Sequence, residues 1–302
     1  MTQLADKKVL VVGAGIMGHG IAHGFITTGH RVTLVDLQEE ALAKARAAID
    51  RIVQGGVRLG KMAAADASAA MARLSTSTDL EAGAEGADLA IETAVELVAV
   101  KLDIVRAVEP RLAPGAIIAT NSSALSVTEI ASGCKDPTRV VGMHFFNPVH
   151  KMKLLEIIAG LSTSQQTIAL ARAYGAALGK TTIVVNDSPG LTTSRMSAMM
   201  GNEAMCMLAE GTASAEDIDT ALRLGFNHPM GPLELGDLTG WDTRLKVLQY
   251  LHQTLGEKFR PCPLILRMVK AGRIGRKAGG GVYLYDAAGQ KIPGSGLKAS
   301  AL

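Results

Sequence analysis

The chain has 302 residues, of which 48% are hydrophobic and 20% are charged, and its formal net charge is +3. This composition indicates a globular protein long enough for two domains. The small net charge gives no support to nucleic-acid binding, and no apolar stretch has the length of a membrane span.

The N-terminal residues and the cysteines indicate a cytoplasmic protein. The first eight residues run straight into a strand-like segment and leave no room for a signal peptide. Cys134, Cys206 and Cys262 lack the spacing of a zinc site or of a disulfide framework. We therefore expect a reducing compartment and no bound metal.

An apolar strand beginning at Val9 ends in a G-x-G-x-x-G pattern, and a helical pattern follows at once. The first glycine of such a pattern allows a tight turn, the second lets the backbone approach a pyrophosphate, and the third lets the helix pack closely. The helix N-terminus then offers N–H groups to the phosphates. The residues that we predict to bind a dinucleotide here are Gly13, Gly15, Ile16, Met17 and Gly18.

A second strand-like run, residues 31–35, ends at Asp36. An acidic side chain about 20 residues after the glycines accepts hydrogen bonds from the ribose and repels a 2′-phosphate. Asp36 therefore favours NAD over its phosphorylated form.

Strand-like and helical patterns alternate through residues 1–185, which predicts a doubly wound, mainly parallel sheet of the Rossmann type. The segment 37–74 is too long for one crossover helix and indicates a helical hairpin that turns near Gly55 and Gly56. Helices are predicted near 96–108 and 165–178. Further strands are predicted over residues 88–92, 116–120, 139–144, 153–158 and 181–185.

From residue 186 to residue 302 the pattern changes, and helical periodicity dominates as far as about Ala271. We expect a second, all-helical domain for substrate binding and dimerisation, in which Ser214 caps a helix. A run of methionines from Met196 to Met207 is typical of an adaptable core or a subunit interface. Residues 289–296 are expected to form a mobile tail.

The sharpest chemical cluster is His144-Phe145-Phe146-Asn147-Pro148. His144 closes a strand at the carboxyl edge of the sheet, where open α/β folds bind ligands. A histidine titrates near neutral pH and can take a proton from an alcohol. Glu156, in the next strand of the predicted hairpin, is expected to bond the imidazole and fix its tautomer.

The segment Asn121-Ser122-Ser123 follows another strand at the same edge. A hydroxyl and an amide there suit a substrate oxygen. The same residue types also favour a helix N-cap, and one residue can cap while another binds. His19 and His23 have helical spacing but no evident third ligand, so we interpret them as packing or surface residues.

Taken together, these motifs resemble the L-3-hydroxyacyl-CoA dehydrogenases, and most of all the bacterial 3-hydroxybutyryl-CoA dehydrogenases. The resemblance runs from Lys8 to about Asp286. The matching stretches are residues 13–22, 92–96, 121–123, 144–148, 152–156, 187–190, 216–219, 229–235 and 275–277.

The resemblance implies roles for individual side chains. His144 becomes the catalytic base paired with Glu156, while Ser123 and Asn147 hold the reacting oxygen of an acyl-CoA. Two positions depart from the family pattern: Ser194 stands where many members have a substrate-contacting Asn, and His150 replaces a Pro. Beside the cofactor the resemblance places Glu92, Lys101 and Asn121.

The basic residues of the 37–74 segment have two readings. Arg51 and Lys61, together with Arg58, can meet the phosphates of coenzyme A, or they can form a solvated basic face. The predicted partners are an acyl-CoA substrate, which enters between the domains, and a second copy of the chain.

Two alternative functions stay open. One is a dehydrogenase of free hydroxy acids, of the gulonate type, on the same scaffold; Phe145 and Phe146 fit it less well than the acyl-CoA branch. The other is a non-catalytic NAD-binding protein of the crystallin kind, against which the retained His144 and Glu156 count. A flavoprotein and a short-chain dehydrogenase lack their signatures here.

Overall fold

In a computed structural model, which describes residue 4 and residues 6–298, the chain divides into two compact units, Met1–Ser188 and Pro189–Leu302. The first unit holds one eight-stranded sheet with its connecting helices, and the second is built from helices. The predicted class, a Rossmann-type domain followed by an all-helical domain, is confirmed. The start of the chain, on which the expectation about a signal peptide rests, lies mostly outside the described residues.

The strands all belong to the first unit. They are β1 (Lys8–Val12), β2 (Arg31–Val35), β3 (Leu74–Ser77), β4 (Leu89–Glu92), β5 (Ile117–Thr120), β6 (Val140–Phe145), β7 (Leu154–Ala159) and β8 (Thr181–Asn186).

The helices divide between the units. The first unit contains α1 (Ile16–Thr27), α2 (Glu39–Arg58), α3 (Ala64–Ala72), α4 (Leu80–Ala84), α5 (Val98–Val108), α6 (Val127–Ala131) and α7 (Gln165–Ala177). The second contains α8 (Thr193–Glu210), α9 (Ala215–Gly225), α10 (Pro232–Thr239), α11 (Trp241–Leu255) and α12 (Pro263–Lys270). Among the described residues, no helix combines the length and the apolar content that crossing a bilayer requires.

The strand order is β3-β2-β1-β4-β5-β6-β7-β8. The first six strands run parallel, with the reversal of order between β1 and β4 that marks the ligand crevice in doubly wound folds. The predicted hairpin is confirmed, because β7 returns antiparallel to β6 with Glu156 directly opposite His144. The carboxyl ends of β1, β2, β4, β5 and β6 therefore meet at one edge of the sheet.

The prediction of a turn near Gly55 and Gly56 is wrong. Helix α2 continues through both glycines to Arg58, and the chain turns at Gly60, which adopts a left-handed conformation with φ of +66°. Val53 is 1% exposed and Val57 packs against the same core. Burial of this apolar face outweighs the ~1 kcal/mol that a glycine costs inside a helix.

Strand β3 was not predicted. Its sequence, Leu-Ser-Thr-Ser, carries one apolar residue, and only Leu74 is buried. The strand forms because it pairs in parallel with β2 at the sheet edge, and a one-sided edge strand needs little apolar periodicity.

A buried carboxylate organises the C-terminal unit. Asp237, 0% exposed, accepts hydrogen bonds from Trp241 Nε1 at 2.7 Å and from the backbone N–H groups of Val282 and Tyr283 at 2.8 Å each. The Tyr285 hydroxyl donates to it at 3.1 Å. One side chain thus joins α10 and α11 to the segment that follows α12.

The segment 289–296, predicted as a mobile tail, is held at its end. The Gly296 N–H donates to Glu216 Oε1 at 2.8 Å, and the Leu297 N–H donates to the Val282 carbonyl at 2.9 Å. These long-range bonds leave no trace in local sequence. The predicted cap of α9 is present, since the Ser214 hydroxyl accepts the Asp217 N–H at 3.1 Å.

Candidate active site

The glycine-rich loop joins β1 to α1 in the way that its three glycines require. Gly13 has φ of +100°, a conformation that L side chains rarely adopt. A Cβ at Gly18 would lie 1.8 Å from the Gly13 carbonyl oxygen. Thr93 supports the loop from below, because its hydroxyl donates to the carbonyls of Val12 and Gly13 at 2.9 and 3.1 Å.

The outer face of the loop fits a pyrophosphate. A Cβ at Gly15 would meet nothing within 4 Å, so this glycine leaves open space rather than a packed contact. Gly15 is the N-cap of α1 and provides no side-chain cap, and the first turn carries no acidic residue. The helix N-terminus therefore presents its N–H groups to the outside, where an anion is favoured. Ile16 is 65% exposed beside it, whereas Met17 packs partly against the core.

Asp36 stands at the carboxyl end of β2 and is tied to this loop. Its Oδ2 accepts the Ala14 N–H at 2.8 Å and its Oδ1 accepts the Gln38 N–H at 3.1 Å. The carboxylate is partly exposed, so each oxygen retains lone pairs for a ribose hydroxyl. Asp36 thus both shapes the loop and offers the acceptor that the sequence predicts.

Matched alanine substitutions in the loop separate its two functions. We expect Gly18→Ala to lower the free energy of unfolding by about 1–3 kcal/mol, since its methyl group collides with backbone. Gly15→Ala is expected to leave stability nearly unchanged and to weaken NADH binding about tenfold, since its methyl group occupies the open space. Thermal melts and NADH fluorescence titrations measure both effects. Equal NADH affinity for wild type and Gly15→Ala would contradict the assignment of the outer face of the loop to the pyrophosphate.

Glu92 and Lys101 form a buried ion pair at the end of β4. They are 2% and 1% exposed, and Lys101 Nζ lies 2.8 Å from Glu92 Oε1 and 2.9 Å from Oε2. The Thr120 hydroxyl donates to Glu92 Oε2 at 2.9 Å, and the Ala94 N–H donates to Oε1 at 2.5 Å. The pair therefore links β4, β5 and α5 just beneath the edge of the sheet where the ligand crevice opens.

Of the three polar residues that follow β5, two make internal hydrogen bonds and one is exposed. Asn121 Oδ1 accepts the Phe145 N–H at 2.9 Å, which fixes the end of β6 beside it. Ser122 is buried; its hydroxyl donates to Glu96 and accepts the Leu125 N–H at 2.9 Å. Ser123 is exposed. Neither serine is a helix N-cap, because Ser126 caps α6, so Ser123 is the hydroxyl that remains open to a ligand.

The predicted contact between His144 and Glu156 is present. His144 Nδ1 lies 2.7 Å from Glu156 Oε2 across the antiparallel pair β6 and β7. Glu156 is 0% exposed and His144 is 7% exposed, and the Phe146 ring packs on the imidazole with centroids 4.6 Å apart. A buried carboxylate on Nδ1 holds the ring in one orientation and directs Nε2 to be the nitrogen that exchanges protons.

The loop that follows His144 is held by α1 and by Lys180, the residue before β8. Val149 is 3% exposed, and a Cβ at Gly20 of α1 would come within 2.9 Å of its Cγ2 atom. Lys180 donates from Nζ to the Val149 carbonyl and to the Met152 carbonyl, the latter at 2.7 Å. Asn147 stays exposed at the start of this loop, on a backbone that is held from both sides.

His23 of α1 packs against this same loop. The rings of His23 and His150 meet edge to face with centroids 5.9 Å apart. Burial, together with the positive charge of nearby His150, His19 and Lys180, lowers the pKa of His23 to about 4. His23 is therefore neutral at physiological pH, and the packing interpretation of this residue is confirmed.

The other predicted substrate residues lie on the α2–α3 segment or in the second unit. Arg51 is exposed on α2, and Lys61 is exposed in the connection to α3. Ser194 is the second residue of α8 and is partly exposed.

Sequence reasoning missed several residues that build the site. Thr93, Thr120 and Lys180 act through hydrogen bonds to distant backbone or side chains. Thr93 and Thr120 carried one usable signal, since each lies at the carboxyl end of a strand, where polar residues gather in this fold. No local pattern indicated Lys180.

Two family models match the chain along nearly its whole length. The model described as "3-hydroxyacyl-CoA dehydrogenase, NAD binding domain" matches residues 8–188. The model described as "3-hydroxyacyl-CoA dehydrogenase, C-terminal domain" matches residues 190–285.

Individual relatives agree with the family models. A protein of Bacillus subtilis named "Probable 3-hydroxybutyryl-CoA dehydrogenase" is 41% identical over 281 residues, which cover 93% of this chain and 98% of the relative. The 3-hydroxybutyryl-CoA dehydrogenase of Clostridioides difficile is 40% identical, with 92% and 99% covered. The crystal structure of (S)-3-hydroxybutyryl-CoA dehydrogenase PaaH1 from Ralstonia eutropha superposes with a TM-score of 0.90 at 40% identity, covering 93% of this chain and 100% of that one.

Proposed function

The chain belongs to the 3-hydroxyacyl-CoA dehydrogenase family, and from this premise we propose that His144 is the general base of its reaction. The reaction is the NAD-dependent oxidation of a 3-hydroxyacyl-CoA to a 3-ketoacyl-CoA. We propose (S)-3-hydroxybutyryl-CoA as the substrate, because relatives covering more than nine-tenths of the chain carry that name.

One observation carries the assignment of the base. His144 lies at the carboxyl edge of β6, with Nδ1 2.7 Å from the fully buried carboxylate of Glu156. The glycine-rich loop ends β1 at the same edge of the same sheet. An imidazole held by a buried carboxylate is arranged to receive a proton on its other nitrogen and to be stabilised once charged.

The residues of this chain account for the proton side of the reaction. Glu156 keeps the Nδ1 proton of His144 in a hydrogen bond, so Nε2 is the free base that takes the proton of the 3-hydroxyl group. The negative carboxylate stabilises the imidazolium that results. Ser123 and Asn147 hold the reacting oxygen from the neighbouring loops. NAD⁺, when bound, supplies the acceptor for the hydride that leaves C3 of the substrate.

The remaining sites are proposals of the same kind. The exposed N-terminus of α1 and the partly exposed Asp36 carboxylate support the cofactor assignments, and the exposure of Arg51 and Lys61 supports contact with the phosphates of coenzyme A. The proposed cofactor residues are Gly13, Gly15, Ile16, Met17, Gly18, Asp36, Glu92, Lys101 and Asn121. The proposed substrate residues are Ser123, Asn147, Ser194, Arg51 and Lys61.

A spectrophotometric assay tests the proposal. Purified protein mixed with NADH and acetoacetyl-CoA should consume NADH, and the reverse reaction should reduce NAD⁺ with (S)-3-hydroxybutyryl-CoA. The control replaces the thioester with free acetoacetate or 3-hydroxybutyrate. Turnover of the free acids alone would favour the gulonate-type alternative, and binding of NADH without any turnover would favour a non-catalytic protein.

We also propose a homodimer formed through the C-terminal unit. Large apolar side chains are exposed on this unit, among them Leu224 at 75%, Phe226 at 72% and Met196 at 61%, and a subunit interface would remove this apolar surface from water. Sedimentation at low micromolar concentration should show a dimer, and Leu224→Asp with Phe226→Asp should shift it toward monomer. A wild-type monomer under these conditions would contradict the proposal.

The proposed location is the cytoplasm. Cys134, Cys206 and Cys262 are all free thiols, which is usual for proteins of a reducing compartment.

A further inference from the structure

One buried cation of the C-terminal unit has no carboxylate partner among the described residues. Arg244 of α11 is 7% exposed, and burial lowers its pKa to about 10, so the guanidinium is charged at neutral pH. Lys101, a buried cation of the first unit, has such a partner, since its Nζ lies 2.8 Å from a Glu92 carboxylate oxygen. A buried charge without a counter-charge is costly to a fold, which raises the question of what neutralises Arg244.

The neighbours of Arg244 are neutral oxygen atoms and one aromatic ring. Nη1 donates to the Ser197 carbonyl, and Nη2 donates to the hydroxyls of Ser197 and Thr239 at 3.2 and 3.3 Å. The guanidinium carbon lies 5.7 Å from the centre of the Trp241 ring. Nε is buried without a hydrogen-bond partner. A cation with spare donors, flanked by hydroxyl groups, is a donor set suited to a carboxylate.

The space for this guanidinium is provided by a glycine. A Cβ at Gly201 of α8 would lie 2.9 Å from Arg244 Nη1. Thr239 is exposed and Ser197 is partly exposed, so the hydroxyl side of the guanidinium is the side that faces solvent. Both N–H groups of Nη2 donate to the Ser197 and Thr239 hydroxyls, so an anion would pair with this nitrogen by displacing one of those hydroxyls.

The position of Ser197 on α8 relates this cation to the substrate. Ser194 and Ser197 are three residues apart on one helix and share a face, about one turn apart. Ser194 is a proposed substrate residue, and its side chain is shorter than the Asn that many relatives carry there. The guanidinium donors of Arg244, which bond to Ser197, thus lie about one helical turn from Ser194, the residue proposed to contact the acyl-CoA.

We propose that Arg244 binds a carboxylate carried at the far end of the acyl chain, so that this enzyme prefers 3-hydroxyacyl-CoA thioesters of dicarboxylic acids. The inference rests on the proposed function, because it uses Ser194 as a substrate contact. It extends that function to a substrate class that the family name does not specify.

The experiment compares substrates matched in length. The substrates are 3-hydroxyacyl-CoA thioesters of five to eight carbons, each with a terminal carboxylate or with a terminal methyl group. Wild type should show the higher kcat/KM on the carboxylated member of at least one pair. Arg244→Met should lower that value about 10- to 100-fold and leave the methyl-terminated substrate within about twofold. Arg223→Met is the charge-matched control, because it removes an exposed arginine of α9. It should leave kcat/KM unchanged on both the carboxylated and the methyl-terminated substrate.

A second variant distinguishes the loss of carboxylate binding from misfolding of the protein. Arg244→Lys keeps the charge but not the paired donors, and it should lose selectivity less than Arg244→Met does. An equal loss on both members of a pair would overturn the proposal, since it indicates a structural role or contact with a coenzyme A phosphate. A wild type without preference for any carboxylated substrate would overturn it as well. If no 3-hydroxyacyl-CoA of either series is oxidised, the proposed function fails instead.

Discussion

Replacement of His144 by Gln is expected to lower kcat for acetoacetyl-CoA reduction by about 10²- to 10⁴-fold, the usual contribution of a general acid or base. Gln is close to the imidazole in size, and its amide can still donate to Glu156, so the antiparallel pair β6 and β7 should stay intact. The loss should appear in kcat and in kcat/KM together, because the missing proton transfer belongs to the transition state. Steady-state kinetics with NADH and acetoacetyl-CoA provide the measurement.

Two controls accompany this variant. NADH affinity, measured by fluorescence, should match wild type, because the glycine-rich loop belongs to β1 and α1. Glu156→Gln should also reduce kcat, since it removes the negative charge opposite the imidazolium. Activity of His144→Gln within about threefold of wild type would show that another group moves the proton.

Removal of the charge on Lys101 is expected to have the largest effect on stability. In Lys101→Met, the Glu92 carboxylate stays buried with only hydrogen bonds from Ala94 and Thr120. Breaking a buried pair in this way typically costs about 3–5 kcal/mol. The free energy of unfolding, measured by urea denaturation, should fall by that amount.

A double variant separates the unpaired charge from the loss of packing. Lys101→Met combined with Glu92→Gln removes both charges and should recover much of the stability, because no ion remains buried alone. Lys44→Met is the matched surface control, since Lys44 pairs with Glu40 while both side chains are about three-quarters exposed; it should be nearly neutral. If Lys101→Met were as stable as Lys44→Met, the buried pair of Lys101 with Glu92 would not contribute the stability expected here.

Local sequence patterns were sufficient to predict those features that neighbouring residues determine. The glycine spacing, the apolar strand before it and Asp36 after it predicted the dinucleotide loop, because the turn and the helix start are set by adjacent residues. The short separation of the β6 and β7 segments predicted the hairpin and, with it, the contact of His144 with Glu156. The cap of α9 at Ser214 followed in the same way.

The predictions failed where residues far apart in the sequence determine the local structure. Gly55 and Gly56 appeared to mark a turn, yet the buried face of α2 keeps the helix intact. The short strand β3 exists only because β2 offers it an edge. No local pattern indicated that Oδ1 of Asn121 accepts the Phe145 N–H, from a residue 24 positions away. Composition and periodicity contain no information about such pairings.

The hydrogen bonds around Asp237 impose an order on events during synthesis. Three of the groups that donate to this carboxylate belong to Val282, Tyr283 and Tyr285, which the ribosome adds after all of α8 to α12. Until they emerge, the nascent helices have a carboxylate at their centre with one donor, Trp241. We therefore expect the sheet-bearing unit to fold while translation continues, and the helical unit to reach its native packing only after residue 285 has been made.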